Sequence, residues 1–308
     1  MCGICGVYGN KNASNLVYLG LYALQHRGEE SSGIVAYDGR KMRKYHGMGL
    51  VSDVFDTESL RPLRGNIAIG HVRYSTTGSS VIKNVQPLSI KHKGCNIAIS
   101  HNGNLINAAS LRSDMEERGS LFNSTMDSEV IMHLLARFQK KERKDCIIEV
   151  LSLLKGAFSL VMMFDDMLVA ARDPLGFRPL CIGKFDGTYV AVSETCALDL
   201  MNAKYIRDVK PGEIVFMDKN GLTSREIKPE NKHAFCIFEH IYFARPDSGI
   251  FGENVYLTRK RLGVELAREA PVDCDIVMPI PDSGTYAALV LLRSQKFLWR
   301  WVWCVITI

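Results

Sequence analysis

This chain lacks an excess of charge of either sign. Its 38 Lys and Arg stand against 33 Asp and Glu, a net of +5 over 308 residues. The basic residues are scattered, apart from Lys140-Lys141-Glu142-Arg143-Lys144 and Arg259-Lys260-Arg261. Runs of that length suit a solvated helix face better than a nucleic-acid contact, so no nucleic-acid partner is expected. A leader-like start is missing too: residues 2–9 are short and lack a basic lead. The apolar stretch at residues 297–308 is too short to cross a bilayer, so no membrane is expected. Cysteines with tight pairing are also absent. Nine of them, an odd number, fit reduced thiols in a cytoplasmic protein better than a disulfide scaffold. Tryptophan is scarce, and all three copies fall within residues 299–303.

What is present is an ordinary globular composition, 47% apolar and 23% charged, with length for two domains or one large one. Residues 16–25 read as a helix that stops at His26-Arg27-Gly28. Residues 33–37, 66–72 and 95–100 read as strands. Residues 124–139 predict a helix capped by Ser124, with Asp127 and Glu129 in its first turns. Val130, Ile131, Leu134, Leu135 and Phe138 form its inner stripe. A second helix spans residues 145–155 and is stopped by Gly156. Strands at 157–164 and 168–171 form a hairpin around Asp165-Asp166, and short strands follow at 180–182, 189–193 and 213–217. Hairpins and paired helices, without regular βαβ repeats, predict an α+β fold in which helices cover two stacked, mostly antiparallel sheets. The first domain is expected to end near Lys228-Pro229-Glu230. Beyond it, a helix at 252–269 and a strand at 275–281 read as the start of an α/β unit.

Residue 2 is a cysteine. With Met1 removed, Cys2 carries a thiol (pKa near ~8.5) and a free α-amine (near ~8), a nucleophile with its own base attached. Four polar clusters sit where strands or helices end: His26-Arg27-Gly28-Glu29, His71-Val72-Arg73, His101-Asn102-Gly103 and Thr125-Met126-Asp127. Their chemistry fits one ligand class. An α-amino acid needs a cation for its carboxylate and an anion for its ammonium group, and Arg73 and Asp127 offer both. A thiolate attacking an amide needs donors for the developing oxyanion, which the Asn102 side chain and Gly103 N–H can supply. Each residue alone has a plainer explanation: Arg73 as a structural ion pair, Asn102-Gly103 as a tight turn, Asp127 as a helix-start charge.

Taken together, these blocks resemble the amidophosphoribosyltransferases (glutamine phosphoribosylpyrophosphate amidotransferases). Cys2-Gly3-Ile4-Cys5-Gly6 is similar to the start of the class II glutamine amidotransferases, within the N-terminal-nucleophile hydrolases. The Gln25-His26-Arg27-Gly28-Glu29-Glu30 block matches too, with Glu29 where the family usually has Gln. So do Gly70-His71-Val72-Arg73-Tyr74-Ser75-Thr76, His101-Asn102-Gly103-Asn104, Thr125-Met126-Asp127-Ser128-Glu129, Arg172-Asp173-Pro174-Leu175-Gly176 and Ser193-Glu194-Thr195-Cys196-Ala197. The resemblance implies a four-layer αββα glutaminase domain at residues 2–230. Cys2 would be the nucleophile, Arg73 and Asp127 would grip glutamine, and Asn102 and Gly103 would form the oxyanion hole. Gly28, Thr76 and His101 would shape the pocket. The Phe235-Cys236-Ile237-Phe238-Glu239-His240 block favours the purine enzyme over the glucosamine 6-phosphate and asparagine enzymes. Pro279-Ile280-Pro281-Asp282-Ser283-Gly284-Thr285 resembles the start of its phosphoribosyltransferase domain, with Asp282, Ser283 and Gly284 as a pyrophosphate loop. Residues 231–293 are thus expected to be a linker and the incomplete start of that domain.

Residues 294–308 match nothing in the family and are expected to be a foreign tail on a C-terminally truncated chain. The family's reaction is glutamine, phosphoribosyl pyrophosphate and water to phosphoribosylamine, glutamate and pyrophosphate. The chain is expected to keep at most the glutamine-hydrolysing half. The alternatives are a non-catalytic remnant or the glutaminase of another class II enzyme. No cofactor is expected for the glutaminase half. A [4Fe–4S] cluster and Mg²⁺ belong to the full-length family protein, with Cys236 the one cluster ligand position retained. Purine nucleotide regulation and a homo-oligomer, often a tetramer, are implied for that parent.

Overall fold

A computed structural model describes residues 1–74, 79–137, 142–227, 233–274 and 276–294. Two compact units divide the chain, Met1–Cys236 and Ile237–Ile308. In chain order, the strands of the first unit are β1 (Gly3–Tyr8), β2 (Ser31–Tyr37), β3 (Met42–Met48), β4 (Ile67–Arg73), β5 (Leu88–His92), β6 (Cys95–Leu105), β7 (Gly156–Phe164), β8 (Met167–Arg172), β9 (Cys181–Phe185), β10 (Thr188–Val192), β11 (Lys204–Asp208), β12 (Glu213–Asp218) and β13 (Gly221–Glu226). Its helices are α1 (Ala13–Ala23), α2 (Val51–Val54), α3 (Thr57–Leu60), α4 (Ala108–Glu117), α5 (Glu129–Arg137), α6 (Arg143–Ser152) and α7 (Thr195–Leu200).

The strands form two antiparallel sheets, ordered β11-β9-β10-β1-β4-β2-β3 and β13-β12-β8-β7-β6-β5. Alternation along each strand sorts side chains to opposite faces. On β4, Ile67 and Ile69 join the core between the sheets, while Ala68 and Val72 pack with Val17 and Leu21 of α1. On β6, Ala98 joins that same inter-sheet core, while Ile97 and Ile99 pack with α5 and α6 residues Ile131, Leu135, Ile147 and Val150. Three apolar clusters between four layers make this the αββα stack expected above.

Three elements depart from expectation. The helix expected from Ser124 begins at Glu129. The backbone donors of the preceding residues are taken by side chains. The Glu129 carboxylate accepts from the N–H groups of Asn123 and Ser124, both at 2.8 Å, and Asn84 Oδ1 accepts from Thr125 N–H at 3.1 Å. Asp127 therefore lies in the turn ahead of α5. The strand expected to end at Ser100 continues to Leu105, paired throughout with β7. The strand expected at 275–281 does not form over the described residues 276–281. Ile276, Met278 and Ile280 are 60%, 68% and 84% exposed. A strand needs a neighbour for its N–H and C=O groups, and no described strand pairs with this segment.

In the second unit, β14 (Gly249–Ile250) and β15 (Glu253–Asn254) form a two-residue hairpin ahead of α8 (Val255–Glu269). The Asn254 side chain caps α8 by accepting from Leu257 N–H at 3.1 Å. Helix α9 (Ser283–Ser294) packs closely on α8: a Cβ on Gly263 would lie 2.6 Å from the Ala287 carbonyl oxygen. The expected domain end at residues 228–230 and the expected tail from 295 lie outside the described residues.

Candidate active site

At one end of the inter-sheet layer the apolar filling stops. Continuing the alternation, Cys2 shares the inner face with Ile4, His71 and Arg73 share it with Ile69, and Ser100 and Asn102 share it with Ala98. Cys2, Asn102 and Gly103 line one recess of about 330 Å³ with Met1, Tyr74, Asn104 and Arg178. A larger groove of about 490 Å³ beside α1 and residues 55–64 is lined by no cysteine.

Cys2 is half-buried, its Sγ 3.7 Å from the Tyr74 carbonyl oxygen. Burial pushes the thiol pKa up, against the pull of the Tyr74 main chain, the chain terminus, Arg73 and Arg27. Asn102 is 1% exposed, and neither its amide nitrogen nor its oxygen has a hydrogen-bond partner. Leaving such a group unsatisfied costs about 1–3 kcal/mol. Gly103 sits within β6, not in a turn. A Cβ there would lie 2.0 Å from the Ala157 carbonyl oxygen and 2.8 Å from His101 Nε2.

Arg73 and Asp127 border this recess without being among its lining residues: Arg73 precedes Tyr74 in the chain, and Asp127 is bonded to Leu105, which follows Asn104. Arg73 is buried, and its Nη1 donates to Glu30 and, at 3.2 Å, to the Ser79 carbonyl. Asp127 Oδ2 accepts from Leu105 N–H at 2.9 Å, and Oδ1 accepts from the Ser128 hydroxyl at 3.2 Å. Burial would raise the Asp127 pKa. His101 and the hydrogen bonds from Leu105 and Ser128 outweigh it and hold the carboxyl at about 2. The His101 ring lies on the helix side, with Nδ1 3.0 Å from Ser128 Oγ and 3.6 Å from Asp127 Oδ1. His101 thus props Asp127 and does not line the recess. Gly28 supports from beneath: a Cβ would lie 2.4 Å from the Arg73 carbonyl carbon. Thr76 lies outside the described residues.

Two residues in the motif blocks gain a place that sequence reading did not assign. Arg27 Nε donates to the Cys2 carbonyl at 3.0 Å, and its Nη1 pairs with Glu194, which also meets His26 Nε2 at 2.9 Å. Burial would raise the Glu194 carboxyl, but Arg27 and His26 hold it well below the usual carboxylate range. Ser193, next in chain, exchanges two bonds with Ile4. Only the pairing of segments far apart in the chain could have revealed this clamp.

In the second unit, Asp282 is exposed and Ser283 opens α9. Gly284 N–H is bonded to the Ile280 carbonyl at 3.1 Å and Thr285 N–H to that of Asp282 at 3.2 Å. Cys236 is half-buried, its N–H on the Phe177 carbonyl at 3.3 Å. The eight described cysteines are free thiols, and no group of three or more His, Cys, Asp or Glu among the described residues could hold a metal. One thiolate does not hold an iron–sulfur cluster, so the described residues do not fit one.

A family model described as a glutamine amidotransferase domain matches residues 71–199. Amidophosphoribosyltransferase 2, chloroplastic, of Arabidopsis thaliana is 49% identical over 290 residues, covering 94% of this chain and 52% of that protein. The amidophosphoribosyltransferase of Methanocaldococcus jannaschii is 46% identical over 308 residues, covering 94% of this chain and 65% of that protein. The chain thus spans about half the length of the plant relative and somewhat more of the archaeal one. Among solved structures, one described as the allosteric regulatory enzyme of purine biosynthesis superposes with a TM-score of 0.94 at 42% identity, covering 97% of this chain and 64% of that one. Glutamine phosphoribosylpyrophosphate amidotransferase from B. subtilis, complexed with ADP and GMP, superposes at 0.92 and 42% identity, covering 96% and 64%. With the αββα stack and the Cys2 recess, these likenesses show strong homology to the amidophosphoribosyltransferases among the class II glutamine amidotransferases.

Proposed function

We propose that this chain hydrolyses the side-chain amide of glutamine through Cys2, once removal of Met1 frees the Cys2 α-amine. The observation that carries the reading is Asn102: a buried carboxamide with no partner, in the recess that holds the nucleophile. The α-amine takes the thiol proton, which a thiol raised by burial does not give up unaided at neutral pH. The thiolate attacks the amide carbon. Asn102 Nδ2 and the Gly103 N–H receive the oxyanion, and collapse of the adduct expels ammonia, which leaves with the proton held by the amine. Water then cleaves the γ-glutamyl thioester, giving glutamate and the free thiol. Arg73 holds the α-carboxylate and Asp127, charged at neutral pH, holds the α-ammonium group.

The relatives' names carry phosphoribosyl transfer to this chain only as a proposal. For the 308-residue polypeptide itself we propose hydrolysis of glutamine without formation of phosphoribosylamine. The turn that engages the N–H groups of Gly284 and Thr285 supports this. Sustained phosphoribosylamine formation from free ammonia and phosphoribosyl pyrophosphate would overturn it. For the glutaminase, mass spectrometry is expected to find Cys2 at the terminus, and Cys2→Ser to reduce glutamate release to background. Asn102→Ala is expected to lower kcat roughly 10²–10³-fold. Intact Met1 in an active preparation, or an active Cys2→Ser variant, sinks the reading.

A further inference from the structure

The two charges assigned to the substrate's amino-acid head come from different loops, and one buried side chain ties those loops together. Asn84 is 0% exposed. Its Nδ2 donates to the Ser79 carbonyl at 2.7 Å and to Thr125 Oγ1 at 2.8 Å, while its Oδ1 accepts from Thr125 N–H at 3.1 Å. The same Ser79 carbonyl accepts from Arg73 Nη1 at 3.2 Å, and Thr125 lies two residues before Asp127. An unbroken chain of hydrogen bonds therefore runs from Arg73 through Ser79 and Asn84 to the Asp127 loop. The orientation of the carboxamide is fixed by its partners, because a carbonyl needs the donor and an N–H needs the acceptor. Glu129 holds the far side of the same loop through the N–H groups of Asn123 and Ser124.

We propose that Asn84 is a positioning residue for substrate recognition: by joining the Ser79 carbonyl to Thr125, it sets the separation between the cation that receives the α-carboxylate and the anion that receives the α-ammonium group. The inference rests on the glutaminase reading above and adds a determinant of which amides are accepted. The amino-acid head is gripped equally in the ground and transition states, so loosening its two anchors weakens binding and leaves the chemistry at Cys2 intact. A merely structural residue would not separate the two.

The test compares Asn84→Ala with the wild-type chain on glutamine, and compares two electrophiles at Cys2. One is 6-diazo-5-oxo-L-norleucine, which carries the amino-acid head; the other is iodoacetamide, which lacks it. Loss of these three side-chain hydrogen bonds is expected to raise KM roughly 10- to 100-fold, with kcat within about threefold. Inactivation by the head-bearing electrophile should slow to match, and iodoacetamide labelling should be unchanged. Thr125→Val removes a single bond from an exposed position and is expected to raise KM roughly 2- to 5-fold. It decides the matter if Asn84→Ala melts at the assay temperature. An unchanged KM, or equal slowing with both electrophiles, overturns the inference while wild-type glutamate release leaves the function standing. A wild-type chain that releases no glutamate removes both.

Discussion

Arg27 and Glu194 face each other without access to water, 167 positions apart in sequence. Through its Nε, Arg27 also grips the Cys2 carbonyl, so the ion pair fixes the main chain from which the nucleophile projects. Removing one member leaves the other charged and buried, which costs about 3–5 kcal/mol. Glu194→Ala is therefore expected to lower the unfolding free energy by that order, read as a shift of the denaturant midpoint, and Glu194→Gln, which keeps an acceptor, by less. An unchanged midpoint for Glu194→Ala would deny the pair its structural role. His71 lies deeper on the same inner face, its Nε2 3.0 Å from the His101 carbonyl. Burial holds its pKa at about 3, against an ordinary 6.5. The unfolded chain thus binds a proton between those values that the native chain refuses. Stability from this group is complete above pH 6.5 and is lost as pH falls toward 3, by up to about 1.4 kcal/mol per unit. In urea titrations at several pH values, His71→Asn should show a shallower acid loss than wild type. Equal slopes would refute the buried neutral imidazole.

Strand β6 shows how much an element can conceal in sequence. Its first half alternates as a half-buried strand should, and its second half, His101 to Asn104, reads as a polar turn. Both halves pair with β7 in unbroken register. Asn102 and Asn104 belong because the inter-sheet layer opens into the recess at that point, and His101 because its ring meets Ser128 on the helix side. Gly103 is the tightest position, and a methyl group there would collide with the Ala157 carbonyl. Gly103→Ala is expected to destabilise the domain by about 1–3 kcal/mol or more, read by thermal melting, with β6–β7 amides losing hydrogen-exchange protection. A fully protected ladder would contradict this packing. The apolar stripe of α5 was legible from its period, and α1 and the hairpin β7–β8 from continuous apolar runs bounded by His26-Arg27-Gly28 and Asp165-Asp166. The start of α5 was not, since Glu129 and Asn84 satisfy the N–H groups that a helix would otherwise use. Edge strands β3, mostly half-buried, and β13, mostly exposed, carried no period to read. Of the site, Cys2 stood out by its place in the chain, and Arg73, Asn102 and Asp127 by residue type where strands or helices were expected to end. The Asn84 tie and the Arg27–Glu194 clamp depend on contacts between distant segments, which no single stretch of chain displays.

At the scale of the molecule, the two units are unequally built. Among the described residues, the first holds three clusters of buried apolar side chains, filling the space between the sheets and beneath both helix layers. The second holds one small cluster, Ala244, Ile250 and Val255, with Phe251 against it. Hydrophobic burial is the main term opposing chain entropy, so the second unit has far less to hold it and should open at lower free energy. Its residues 271–282 form no helix or strand where described, and Ile276, Met278 and Ile280 are exposed. Limited proteolysis of the whole chain is therefore expected to cut within 271–282 first and to leave the Met1–Cys236 unit resistant. Glutamate release should survive that first cut, because Cys2, Arg73, Asn102 and Asp127 all belong to the resistant unit. The same segment exposes alternating apolar residues that can pair with other chains. Ile276→Lys with Ile280→Lys should thus raise the concentration at which the protein stays monodisperse in light scattering, with KM for glutamine unchanged. If both units were instead to lose hydrogen-exchange protection in one cooperative step, or activity to vanish with the first cut, the second unit would be contributing to the glutaminase fold itself, and the division of labour argued for the two units would fail.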